Sequence, residues 1–251
     1  MKLIGIDSSG LVASVAIMED NKLVAEYTVN NKKTHSQTLL PMLDEIVKST
    51  GLEMKEIDAI AIAAGPGSFT GLRIGSATAK GLGLALKKPI VPVSTVEALA
   101  YNMYGTNSLV CPIMDARRNQ VYTGVYEFVK EELNNAEKEN ERTGFCCYRM
   151  KTVKEACAVP VEEIATFINE IGREVIFLGD GVPVFAEQLV TLMKVPYSFA
   201  PAHLALQKAG CVACLGMDKF KAGIFEEAAA HSPEYLRLSQ AERERKEAGL
   251  L

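Results

Sequence analysis

Apolar and polar residues alternate in blocks that read first as three strands. Residues 2–7 form an apolar run ending in Asp7, and Ser8-Ser9-Gly10 turns the chain. Residues 12–18 read as a second strand, and 19–22 as a polar turn. Residues 23–29 alternate apolar and polar, the period of a half-buried strand. Leu39, Leu40, Leu43, Ile46 and Val47 then recur at helical spacing, which predicts a helix over 36–50. An apolar strand over 57–63 leads into the turn Gly65-Pro66-Gly67-Ser68-Phe69-Thr70-Gly71, and a helix is expected over 70–86. A strand over 90–93 follows. Ser94-Thr95-Val96-Glu97 then matches a capping box and opens a helix reaching about residue 104.

The pattern then restarts. Residues 109–114 are apolar and lead to Asp115, residues 115–119 turn, and 120–128 return as a strand. Asp7 and Asp115 hold corresponding positions 108 residues apart, which suggests a duplicated lobe. Lobes are expected over 1–105 and 106–251, with the last helices free to pack back on the first lobe. A polar loop over 131–143, a strand over 145–150, a helix over 161–171, a strand over 175–178, the turn Gly179-Asp180-Gly181 and helices over 185–193 and 204–217 complete this half. Residues 240–249 alternate in charge and read as a solvated end.

Composition narrows the partners. The net charge of −4 argues against a broad basic face that grips nucleic acid alone. No stretch is long and apolar enough for a membrane span, and Asp7 interrupts the first apolar run too early for a signal peptide, so a cytoplasmic location is expected. The six cysteines include one Cys211-x-x-Cys214 without a second pair at zinc spacing, so they read as structural thiols.

The glycine turn fits no phosphate fingerprint. In the helix after it, Gly71, Gly75, Ala79 and Gly83 recur every four residues on one face. Each helical glycine costs roughly 1 kcal/mol relative to alanine, so close approach of a second helix must compensate. That helix belongs either to the same domain or to another chain.

Thr34-His35-Ser36-Gln37-Thr38-Leu39-Leu40-Pro41, the glycine turn continued through Leu72-Arg73-Ile74-Gly75, Asp115-Ala116-Arg117-Arg118-Asn119-Gln120-Val121-Tyr122 and Pro233-Glu234-Tyr235-Leu236-Arg237 occur in this order. Together they resemble the bacterial tRNA threonylcarbamoyladenosine biosynthesis family TsaB, also called YeaZ, over nearly the whole chain. The resemblance implies an α/β, two-lobed actin/Hsp70/sugar-kinase-like (ribonuclease H-like) fold. It implies a non-catalytic scaffold that pairs with a catalytic paralogue, TsaD, and is joined by a small P-loop ATPase, TsaE. It also implies a homodimer when the chain is alone, and contact with tRNA only through the complex. The partner-binding helices would be 36–50 and 70–86, with His35, Leu39, Leu43, Arg73, Gly75, Ser76, Ala79, Lys80 and Gly83 as interface residues.

The catalytic paralogues hold their metal with an H-x-x-x-H pair. Here His35 would be the first member, but Leu39 stands at the second, so no metal site and no catalytic residue are expected. Asp7, Ser8, Asp115 and Gly179 lie where kinases of the superfamily contact a nucleotide. Weak ATP or ADP binding is the expected limit, because the turn after Asp115 carries arginines instead of glycine. The alternative is a small-molecule kinase of the same fold.

Overall fold

The computed structural model describes residues 1–31, 34–131 and 147–237. In the first lobe β1 (Lys2–Asp7), β2 (Ala13–Glu19) and β3 (Lys22–Val29) form an antiparallel meander. After α1 (His35–Thr50), β4 (Ala59–Gly65) adds parallel to β1; after α2 (Phe69–Leu86), β5 (Ile90–Ser94) adds parallel to β4. The sheet order is β3-β2-β1-β4-β5. Strands β1 and β4 are buried almost throughout, as strands covered on both faces must be.

The second lobe repeats this topology. It runs through β6 (Leu109–Asp115), β7 (Gln120–Lys130), β8 (Tyr148–Pro160), α4 (Val161–Ile171), β9 (Val175–Leu178), α5 (Val182–Leu192) and β10 (Tyr197–Phe199). Its order, β8-β7-β6-β9-β10, is the first sheet's order element for element. The duplication read from Asp7 and Asp115 is therefore a duplication of the whole sheet. Strand β8 extends to Pro160, well beyond the predicted 145–150, and pairs with β7 over most of its length. Its alternation is weak because the strand is at a sheet edge and only partly buried. Most of the loop expected over 131–143, and all of the charged end over 240–249, lie outside the described residues.

Each sheet has a helix layer on both faces. In the first lobe, Leu39, Met42, Leu43 and Ile46 of α1 and Ala79 of α2 pack on Ile4, Ile60 and Ile62. The opposite face is covered by α6 (Ala209–Lys221), whose Val212, Ala213 and Met217 meet Leu3, Ala59 and Val91. Helix α3 (Thr95–Tyr101) sits between the lobes, with Val96, Leu99 and Ala100 against Val110, Met114 and Tyr126. Ser94 is the N-cap expected there: its Oγ accepts the Glu97 N–H at 3.5 Å. Among the described residues no helix is long and apolar enough to cross a membrane.

Candidate functional site

The lobes face each other across a cleft of about 810 Å3. One wall is the turn after β1, the glycine turn and the start of α2; the other is the end of β6, Tyr122 and Asp180. The glycine turn is shaped by its own chain. A Cβ on Gly67 would lie 2.4 Å from the Ser9 carbonyl oxygen, and one on Gly71 2.1 Å from that of Ser8. Their absence lets the start of α2 rest directly on the turn after β1. There Ser68 N–H donates to the Ser9 carbonyl at 2.7 Å, and Ser8 Oγ donates to the Gly71 carbonyl at 2.9 Å.

Beneath this contact lies Asp7, 1% exposed. Its Oδ1 accepts the Ser9 N–H at 2.9 Å and the Ser9 hydroxyl at 2.6 Å, while Oδ2 has no partner. Burial pushes this carboxyl up to about 6; the Ser9 hydrogen bonds and then His35 pull it down, and Asp180 raises it further. Asp180, after β9, is also raised, mainly by burial, although the Asp115 backbone N–H opposes this; its Oδ1 is likewise unpartnered. His35 Nε2 meets the Gly10 carbonyl at 2.9 Å. Asp7 thus feels both His35 and, from the other lobe, Asp180.

Asp115 is committed to its own hairpin. Oδ1 accepts the Arg117 N–H at 2.8 Å, and Oδ2 pairs with the Arg117 guanidinium at 3.1 Å. Arg117, Arg118 and Asn119 have φ of 64°, 57° and 56°. Three successive left-handed residues other than glycine cost roughly 1–2 kcal/mol each, so neighbours must hold this shape. Gly179 is covered: a Cβ there would lie 2.3 Å from the Ile113 carbonyl oxygen. Of the four residues expected at a nucleotide, Ser8 bonds the Gly71 carbonyl, Gly179 packs on Ile113 and Asp115 is engaged by Arg117, while Asp7 keeps Oδ2 without a partner. Among the described residues no group of three or more His, Cys, Asp and Glu side chains converges. Leu39 itself is 2% exposed, in the core under α1.

Six of the nine predicted interface residues, Leu39, Leu43, Gly75, Ser76, Ala79 and Gly83, are buried within the chain, while Arg73 is exposed and His35 and Lys80 partly so. The stripe Gly71, Gly75, Ala79 and Gly83 faces inward. Gly75 lies under Ser8 Oγ, Ala79 is 0% exposed, and Gly83 receives the Ala228 methyl. Ser76, Leu39 and Leu43 are buried too. Arg73 and Lys80 bond residues 235 and 231 of the same chain, and His35 bonds Gly10. The close approach inferred from the glycines is real, but its occupant is this chain's own turn and C-terminal segment. The outward face of α2 carries a second set of small residues, Ala77, Gly81 and Ala85, beside Leu84 at 59% exposure; nothing lies within 4 Å of a Cβ built on Gly81. Leu40 of the neighbouring α1 is 51% exposed.

The residue list drawn from sequence omits Asp180, Phe69, Tyr235 and Arg237, which all line the cleft. The motif 233–237 was visible as a word, but spacing cannot tell where a segment 160 residues from α2 will land. On α6, Cys211 Sγ meets Asn102 Oδ1 at 3.1 Å, and burial raises both thiols, Cys214 to about 11 and Cys211 higher still.

Comparison with known proteins places this geometry. Residues 22–245 match the family model described as TsaD, tRNA N6-adenosine threonylcarbamoyltransferase. The tRNA threonylcarbamoyladenosine biosynthesis protein TsaB of Bacillus subtilis is 30% identical over 96% of both chains. The Escherichia coli protein of that name is 35% identical over 51% of this chain and 55% of its own. The crystal structure of YeaZ from Pseudomonas aeruginosa superposes with a TM-score of 0.74 at 26% identity, covering 94% of this chain and 99% of that one. A duplicated two-lobed fold, a glycine turn locked onto the first hairpin and near-full-length similarity agree: the chain belongs to the TsaB/YeaZ family of tRNA threonylcarbamoyladenosine biosynthesis proteins.

Proposed function

We propose that this chain is a non-catalytic scaffold of the tRNA threonylcarbamoylation machinery. It binds a TsaD-like catalytic paralogue through the outer face of α1 and α2. The observation that carries this reading is that face: Ala77, Gly81 and Ala85 are exposed small residues beside the exposed Leu84, and Leu40 of the neighbouring α1 is exposed as well. Small residues let a partner helix come close, and the exposed leucines supply apolar area at about 25 cal/mol per Å2 buried. The inward-turned Asp7 and Ser8, and Leu39 in place of a second histidine, support a role without chemistry of its own. A TsaE-like P-loop ATPase would join the pair, tRNA would be met through the complex, and the isolated chain would self-associate through the same face.

The test is titration calorimetry with the purified paralogue. Gly81→Trp should leave the chain folded and weaken binding at least tenfold, because the ring stands where the partner helix would come close. Undiminished binding by a folded Gly81→Trp protein would overturn the assigned face. Adding the paralogue should also dissolve any homodimer. A kinase is the second reading, favoured by the unpartnered Asp7 Oδ2 and Asp180 Oδ1. Tight ATP binding by the chain alone, lost in Asp7→Ala, would support it over the scaffold.

A further inference from the structure

After α6 the chain runs back across the first lobe. Glu226 pairs with Ile90 of β5 through two backbone hydrogen bonds of 2.9 Å. Ala228 packs over Gly83, Lys80 Nζ donates to the His231 carbonyl at 2.9 Å, and Glu234 N–H donates to the Ala64 carbonyl at 2.8 Å. Tyr235 then stacks on Phe69 with ring centroids 4.7 Å apart. Arg73 Nε donates to the Tyr235 hydroxyl at 3.3 Å, and the same guanidinium lies 4.0 Å over the Phe69 ring. Two residues later the segment reaches the other lobe. Arg237 Nη1 donates to the Ala116 carbonyl at 2.6 Å and to the Arg117 carbonyl at 3.3 Å.

Those two carbonyls belong to the hairpin whose residues 117–119 are left-handed. Beyond the β6-β7 ladder, two backbone bonds close the turn: Ala116 N–H to the Gln120 carbonyl at 2.9 Å and Gln120 N–H to the Arg117 carbonyl at 3.2 Å. A run of three non-glycine residues at positive φ persists only where its surroundings over-determine it. Asp115 constrains it from the strand side, and Arg237 from across the cleft. A charged donor makes a stronger hydrogen bond than a neutral one, and here the single nitrogen Nη1 reaches both carbonyls.

We propose that residues 226–237 form a latch joining the lobes, with Arg237 as the positioning residue that holds the hairpin 116–120 in its left-handed shape at the cleft. All of its contacts lie within one chain, so it stands or falls apart from the scaffold reading. The test is amide hydrogen exchange on the full chain, comparing the natural protein with Arg237→Ala and Arg237→Lys. In Arg237→Ala, the Ala116 and Gln120 amides should exchange at least tenfold faster, while Ile62 of β4 and Phe177 of β9 keep their rates. Arg237→Lys should restore part of the protection, since an ammonium keeps the charged donor but sits on a shorter side chain without the guanidinium's fixed plane. Hairpin exchange within twofold of the natural protein in Arg237→Ala would overturn the latch. Equal acceleration at Ile62 and Phe177 would overturn it too, because Arg237 would then support the whole fold.

Discussion

Replacing Asp7 by asparagine probes the buried carboxyl beneath the glycine turn. In the folded chain this group holds its proton to about pH 6, against 3.8 when unperturbed, and burial is the first cause. Between those values the native state binds more protons than the unfolded one, so stability falls as pH rises and levels off above pH 6. A shift of about 2 pK units at about 1.4 kcal/mol each makes the ionised carboxylate cost about 3 kcal/mol at neutral pH. Asparagine keeps an oxygen for the two Ser9 donors but cannot ionise. It exchanges charge-assisted bonds for neutral ones, which sets a constant offset and not a pH dependence. The assay is urea unfolding of both proteins from pH 4 to pH 8. The stability difference should move by about 2 kcal/mol in favour of Asp7→Asn between pH 4 and 7, then stay nearly flat. Asp180 titrates in both proteins and largely cancels. A difference that is constant across the range would refute the reasoning. It would mean that Asp7 is solvated, or that a cation or donor outside this chain satisfies Oδ2.

Other expectations follow from single contacts. Ala79→Trp should unfold the chain, because the methyl it replaces is 0% exposed; loss of the circular-dichroism signal at 25 °C would register this, in contrast to Gly81→Trp. Glu26→Ala should cost about 1 kcal/mol by urea denaturation, because Glu26 Oε1 accepts the Gly210 N–H at 2.7 Å and so satisfies an orphan donor at the start of α6. Cys211 and Cys214 should react slowly with iodoacetamide at pH 8 and rapidly in urea, since burial holds both thiols protonated.

Much of this molecule was determined by local pattern. Apolar runs of strand length, a helical stripe at Leu39, Leu43 and Ile46, a capping box at Ser94 and carboxylates ending two corresponding strands are sufficient for a duplicated α/β architecture. Each of these signals is short-range, because strand and helix periods are set within a few residues. The small-residue stripe in α2 was also legible, and so was its meaning: something approaches closely. What approaches was not. Periodicity identifies a face but carries no direction, and α2 has small residues on two faces, Gly75 and Ala79 on one, Ala77 and Gly81 on the other. Only the packing of Ser8 and Ala228 against the first face left the second to solvent. The same limit hid the cleft's composition. Tyr235 and Arg237 reach Phe69 and Ala116 across 166 and 121 residues of sequence, and Asp7, which feels Asp180, does so from a different lobe. Such contacts depend on how two sheets and a returning segment are assembled in space, which is a property of the tertiary structure and of no stretch of sequence alone.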